Sequence, residues 1–364
     1  MRVFVAGASG AIGTRLVPQL IDRGHEVVGT FRAVGGDEGV RTLGAQPVAL
    51  DLLDAAGVRR AVLEASPDAI VHEATSLAGA GFSRSLDRTF SLTNRLRTVG
   101  TDALLAAARE AGVRRFVAQS FASLRYAREG GPVKTEDDAL DADPPAGARE
   151  SYAAMRHVDE AVTAAGGIAL RYGGFYGAAN DGLPGPVRKR QFPIVGSGAG
   201  ISSFVHLEDA AAATVLALEH DGPAIYNIVD DEPAAVREWL PVLADVLGAP
   251  PPRHVPSWLA RLIGGEGAVV MGTEARGASN AKAKRALGWT PRYPTWREGF
   301  VAVYASPPSG GVEDQVHALR EEGGAPDRHQ GEDRSGSQPP LHSNGSPPPR
   351  RQGGHSAQPP TVAH

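Results

Sequence analysis

Residues 3–13 read VFVAGASGAIG: a short apolar run closed by glycines at positions 7, 10 and 13. Behind it Ile12, Leu16 and Leu20 recur at four-residue spacing, the period of a helix with one buried stripe. A strand, a glycine turn and an amphipathic helix in that order predict the first βα unit of a Rossmann-type domain. Gly7 permits the tight turn, Gly10 lets the backbone approach a pyrophosphate, and Gly13 lets the helix pack close to the strand. The helix N-terminus directs its N–H groups at the anion. The expectation is a bound nicotinamide dinucleotide, cradled by Gly7, Ser9, Gly10, Ala11, Ile12 and Gly13.

The same rhythm continues outward from this unit. Apolar runs at Val27–Val28, Ala69–His72, Arg115–Gln119 and Gly167–Arg171 alternate with helical patterns such as Asp102–Glu110. Short strands that are apolar on both faces and separated by helices predict an α/β fold, a doubly wound parallel sheet covered on both sides. This Rossmann domain is expected over 1–175, with 203–230 returning to the sheet. Residues 176–202 and 231–304 then form a smaller C-terminal α/β substrate region. Trp239, Trp258 and Trp289 read as core. After Tyr304 the chain turns to Pro, Gly, Ser, Gln, His and Arg, so 305–364 is expected to be a disordered tail.

Composition narrows the function. A net charge of -4 over 364 residues, with no concentrated basic face, argues against nucleic acid and membrane surfaces and for a small-molecule substrate. No cysteine is present, which excludes disulfides and thiolate metal sites. The 11 histidines carry no paired ligand spacing, so no metal site is expected. With neither a cleavable leader nor an apolar span of membrane length, the reading is a cytoplasmic protein.

The Gly-x-x-Gly-x-x-Gly spacing resembles the extended short-chain dehydrogenase/reductase superfamily, the NAD-dependent epimerase/dehydratase group. Further strings agree in order: Asp51-Leu52, His72-Glu73-Ala74, Asn94 opening NRLRTVGTDALLAAARE, RYGGFYG at 171–177, SFVHLEDAA at 203–211 and ALGWTPRYPTWREGF at 286–300. The resemblance implies that Asp51 and Leu52 lie against adenine and that Ala74 and Asn94 lie beside the cofactor. It also allows a homodimer. An NAD-selective protein places a carboxylate at the end of the second strand, to accept from the ribose hydroxyls; here Phe31 stands there and Arg32 follows. That favours NADP, with NAD left open, and Arg15 is a candidate for a second cation near the same phosphate.

The resemblance further implies a tyrosine acid/base, a lysine four residues later and a Ser or Thr beside the substrate oxygen. An i, i+4 pair shares one helix face, so the cation can lower the phenol pKa and reach the ribose. The sequence ESYAAMRHVDEAV supplies Tyr152 and, four residues on, Arg156. Phe121 fills the Ser/Thr position, flanked by Ser120 and Ser123. If the strand persists, Ser123 points to the same side as Phe121. The candidate catalytic set is therefore Tyr152, Arg156 and Ser123. The expected activity is an NAD(P)-dependent oxidoreductase or epimerase/dehydratase-like enzyme, acting on a carbonyl or secondary alcohol of a small or sugar-like substrate. Arg188-Lys189-Arg190 would meet a phosphate on it, or else form a solvated surface run. The alternative is an NAD(P)-binding regulatory sensor that has lost turnover, since Phe121 and Arg156 depart from the pattern.

Overall fold

A computed structural model describes residues 1–32, 35–77, 84–177 and 182–305. Seven parallel strands form one sheet: β1 (Arg2–Ala6), β2 (Glu26–Phe31), β3 (Gln46–Ala49), β4 (Ala69–His72), β5 (Arg115–Phe121), β6 (Ile168–Tyr172) and β7 (Ala224–Ile228). They run in the order β7-β6-β5-β4-β1-β2-β3. Every residue of β4 and β6 is buried, which explains why they are mostly apolar: a sheet covered by helices on both faces leaves no solvent side, and the exceptions His72 and Arg171 are buried too.

Alternation along β1 sorts the two layers. Val3 and Val5 pack with Leu16, Val17 and Leu20 of helix Gly13–Asp22 and with Ala210 and Ala211 of helix Leu207–Glu219. Phe4 and Ala6 face the other way, onto helices Ala55–Ala65, Thr101–Ala111 and Arg149–Ala164, through Val58, Leu104 and Val158 among others. Each fully buried Leu or Val contributes roughly 1.5–3 kcal/mol relative to exposure, so the stripe of Leu16 and Leu20 fixes which side of the first helix meets the sheet. The chain progresses outward from β1 to β3 in one direction and from β4 to β7 in the other. The reversal opens a crevice above the carboxyl ends of β1 and β4, where the glycine turn lies.

Of residues 203–230, expected to return to the sheet, the segment Ala224–Ile228 does so. Phe204–His206 instead pairs in parallel with Gly174–Tyr176 as a separate ribbon. The cause is local: the ribbons approach so closely that a Cβ at Gly173 would lie 2.7 Å from the Ser203 carbonyl oxygen. Beyond β7 the region is mainly helical. Trp239, Leu240, Leu243, Trp296 and Phe300 gather with Tyr176 and Phe204 in a further core.

Trp239 and Trp289 are core, as their size suggests, whereas Trp258 is 69% exposed. It lies on helix Ser257–Thr273, which breaks at Gly265 (φ 76°, ψ -175°) and turns Trp258, Leu262 and Ile263 outward. Among the described residues no helix is long and apolar enough to cross a membrane. The expected tail, Ala305 apart, lies outside the described residues.

Candidate active site

The glycine turn is built so tightly that side chains would break it. Gly7 sits at φ 98°, and a Cβ there would lie 2.8 Å from the backbone nitrogen of Ala74, at the end of the neighbouring strand. A Cβ at Gly13 would lie 2.2 Å from the Gly7 carbonyl oxygen. Thr30 Oγ1 accepts from the Gly7 N–H at 3.0 Å, tying the turn to β2. The helix that follows has no side-chain cap at Ile12 and no acid in its first turn. The N–H groups of Ser9, Ala11 and Ile12 donate to no acceptor among the described residues, and Ser9, Gly10 and Ala11 are exposed. An uncapped helix start over an open crevice has the donor set that a pyrophosphate requires, so these residues fit the dinucleotide.

On the adenine side, Phe31 is half-buried at the end of β2 and Arg32 is exposed. Asp51 Oδ1 accepts from the Leu53 N–H at 3.0 Å, which shapes the turn after β3, while buried Leu52 forms a floor against Gly100. Arg15 turns away from this end. Its Nη2 donates to the Gly177 carbonyl at 2.9 Å and its Nε lies 3.5 Å from Glu208, so it is not a partner of Arg32 at one phosphate. The helix turn after Gly13 directs residue 15 toward the Leu207–Glu219 layer.

At the other end of the crevice, Phe121 closes β5 and packs with Tyr152, Met155, Ala148, Leu86 and Leu124. Ser123 does not continue the strand: β5 stops at Phe121, Ser123 lies in a turn, and Leu124 has φ 61°. Buried Ser120 donates to the Met155 carbonyl at 3.4 Å and accepts from Arg125 at 2.9 Å, which holds it in the core.

The helix Arg149–Ala164 does not present Tyr152 and Arg156 as a pair. Tyr152 is buried and Arg156 is exposed. The inward row at four-residue spacing is Ser151, Met155 and Asp159. Ser151 Oγ accepts from Asn94 Nδ2 at 3.1 Å and donates to Asp87 Oδ1 at 2.8 Å, so Asn94 joins two helices and lies within a helix rather than opening one. Burial and the nearby Asp141 hold the Tyr152 phenol above its ordinary range, with Arg128 and Arg125 opposing.

Beneath this apolar wall lies a polar floor that sequence spacing did not reveal. Arg125 contacts Asp159 Oδ2 at 2.5 Å, Arg171 contacts the same oxygen at 2.8 Å through Nη2, and Arg171 also donates to Tyr126 at 3.1 Å. Tyr126 in turn donates to Asn227 Oδ1 at 2.7 Å. Buried Arg97 stands near both charges; burial, reinforced by Arg125, lowers its pKa to about 10. On the opposite layer, Glu73 accepts from the Tyr172 hydroxyl at 2.9 Å, and burial pushes its carboxyl up to about 8. Burial also holds His72 neutral, at about 4.

A cavity of about 430 Å³ opens beside the wall, lined by Phe90, Phe192, Met271, Pro145 and Arg84 and reaching Leu86 and Ala148. Those last two residues pack with the Phe121–Tyr152–Met155 cluster, so the cavity adjoins the wall through them. Arg188, Lys189 and Arg190 do not line it, and Arg188 and Lys189 are exposed. Signals for the wall were present in the helix's apolar periodicity. The floor had none, since its partners are 34 and 12 residues apart in sequence.

With this geometry the glycine turn, the sheet order and the strand ends agree with one family model, that of the NAD dependent epimerase/dehydratase family, which matches residues 3–229. The chain belongs to that family. A curated member from Streptomyces sp, a 3-diazoavenalumate denitrifying reductase, is 41% identical over 309 residues, covering 82% of this chain and 99% of the relative. A 4-hydroxy-2-methyl-3-oxo-4-farnesyl-3,4-dihydroquinoline-1-oxide ketoreductase of Stigmatella aurantiaca is 29% identical, over 68% of this chain and 74% of its own length. Among solved family members, the UDP-glucose 4-epimerase of Thermus thermophilus in complex with NAD superposes with a TM-score of 0.64. It is 26% identical and covers 84% of this chain and 98% of its own. This family membership and its reductase and epimerase relatives make the chain a nicotinamide-nucleotide-dependent oxidoreductase or epimerase.

Proposed function

We propose that the chain is a reductase that delivers hydride to the terminal nitrogen of an aromatic diazo group and so releases dinitrogen, with NADP as its cofactor. The observation that carries this reading is the apolar setting that Phe121 and Met155 give Tyr152, with Phe121 standing where family chemistry on oxygen needs a Ser or Thr. Reducing a carbonyl develops negative charge on oxygen, and a positioned acid with a pKa near the working pH must meet it. Tyr152 is held above its ordinary range, and no ammonium shares its face of the helix. An arenediazonium makes no such demand. Hydride adds to the cation to give a neutral aryldiazene, Ar–N=N–H, which leaves Ar–H and N2; charge is cancelled rather than created. The near full-length Streptomyces relative, a denitrifying reductase, supports the same chemistry.

In this reading the reduced cofactor, when bound, supplies the hydride. Gly7, Ser9, Gly10, Ala11, Ile12 and Gly13 hold the pyrophosphate, Asp51 and Leu52 the adenine, and Arg32 the ribose 2′-phosphate. Ala74 bounds the crevice, and Asn94 positions the Arg149–Ala164 helix through Ser151. Tyr152 and Phe121 orient the substrate ring and exclude water. Ser123 and Arg156 carry no part of the step. That the relatives named above are enzymes supports turnover over a purely regulatory role.

The test is anaerobic incubation with NADPH and diazotised 3-aminobenzoate, following cofactor oxidation and dinitrogen release. One dinitrogen per NADPH is expected. Tyr152→Phe should keep the rate within about threefold, because no general-acid contribution of the usual 10²–10⁴ is lost. Turnover of ketones or UDP-glucose instead, abolished by Tyr152→Phe, would overturn the reading.

A further inference from the structure

The charges around the 430 Å³ cavity are unevenly matched. Among the described residues its charged lining is Arg84 and Glu266. Glu266 has a cationic neighbour in Arg261, 4.0 Å away. Arg84 has no carboxylate within salt-bridge distance among the described residues. It is fixed by neutral groups: Nε donates to the Ile263 carbonyl at 2.8 Å and Nη2 to that of Leu262. Two backbone carbonyls orient the guanidinium without cancelling its charge. The remaining lining is apolar and flat-sided, with Phe90, Phe192, Met271, Pro145 and Pro186. A pyrophosphate-linked sugar would need several cations there, and the run Arg188-Lys189 is exposed outside the lining.

We infer that Arg84 is the anion subsite of the substrate cavity and that the substrate is a planar aromatic bearing one carboxylate. This rests on the preceding reading only in taking the cavity as the substrate's. Arg84 is exposed at the cavity rim, and the guanidinium edge that the two carbonyls leave free matches a carboxylate in two parallel hydrogen bonds. The apolar faces stack the ring, and its far edge meets Leu86 and Ala148, which back onto Phe121 and Met155. The carboxylate thus sets how far the ring reaches toward that cluster.

Arg84 could instead serve only to cap the helical segment that ends before Gly265, so the experiment separates the two roles. NADP-loaded protein is titrated with 2-naphthoate and 2-naphthamide, inert probes of one shape that differ in charge. The acid is expected to bind about 10-fold tighter or better, as a charge-assisted pair implies. Arg84→Met should remove that preference while leaving amide affinity unchanged, and Arg84→Lys should restore part of it. Equal affinities for acid and amide in the unmodified protein, or equal loss of both in Arg84→Met, would overturn the inference. Because the probes are not turned over, failure of diazo reduction would sink the preceding reading and leave this result standing.

Discussion

Arg125 Nη2 lies 2.5 Å from Asp159 Oδ2, and Arg171 shares that same oxygen. One carboxylate therefore balances two buried guanidiniums, with Arg97 close enough to feel Arg125 and Asp159. Breaking a buried pair leaves an uncompensated charge, at a cost of about 3–5 kcal/mol. Asp159→Asn is expected to lower unfolding free energy by that amount in urea denaturation. Arg97→Met should be neutral or stabilising, because Arg97 adds like charge and its Nε has no partner among the described residues. A small loss for Asp159→Asn combined with a large one for Arg97→Met would contradict this account of the floor.

Glu73 gives a pH signature. Its folded pKa is raised from 4.5 to about 8, so between those values the folded state binds the proton that the unfolded state releases. Stability conferred by this group is present below pH 4.5 and is lost as pH rises to about 8. Glu73→Gln cannot ionise, so its Tm should exceed that of the unmodified protein at pH 8 by roughly 3 °C or more, with the gain gone at pH 4.5. Calorimetry at the two pH values decides it; a difference independent of pH would refute the assignment. His72 works in the opposite direction, losing its contribution as pH falls from 6.5 to about 4, and is common to both proteins.

Gly13→Ala places a Cβ 2.2 Å from the Gly7 carbonyl oxygen, and the clash is with backbone that cannot swing aside. The turn must open, costing about 1–3 kcal/mol as overpacking does. Cofactor affinity should fall at least about 10-fold, since the N–H groups lose their aim. Fluorescence titration with NADPH measures this. Unchanged affinity would mean that the turn is not the phosphate site.

Arg32→Ala tests cofactor choice. Loss of a charge-assisted bond at an exposed position should weaken NADP binding by about 10-fold and leave NAD binding within about twofold. Equal effects on the two nucleotides would remove Arg32 from the 2′-phosphate.

The glycine turn and the parallel sheet were legible because both are local. Gly7, Gly10 and Gly13 sit at the spacings of a strand–turn–helix unit, and two-sided burial writes itself into β1, β4 and β6 as short, mostly apolar runs. For Tyr152 and Arg156, four-residue spacing says that two side chains share a side, not how each meets its surroundings. Burial of the helix put Ser151, Met155 and Asp159 inward and left Arg156 in solvent. Trp258 misled through size: a large ring is usually core, but the break at Gly265 turned its helical segment outward.

By itself, then, the sequence determined what is held: periodicity and the glycine spacing specify a crevice with uncapped helix N–H groups, because they act over a dozen neighbouring residues. Only the tertiary structure decided what faces that crevice. The apolar wall joins Leu86, Phe121, Tyr152 and Met155, and the cavity joins Arg84 to Phe192 and Met271. Such groups meet through chain crossings that carry no signal in any one segment, since a contact across the sheet depends on where every helix has packed.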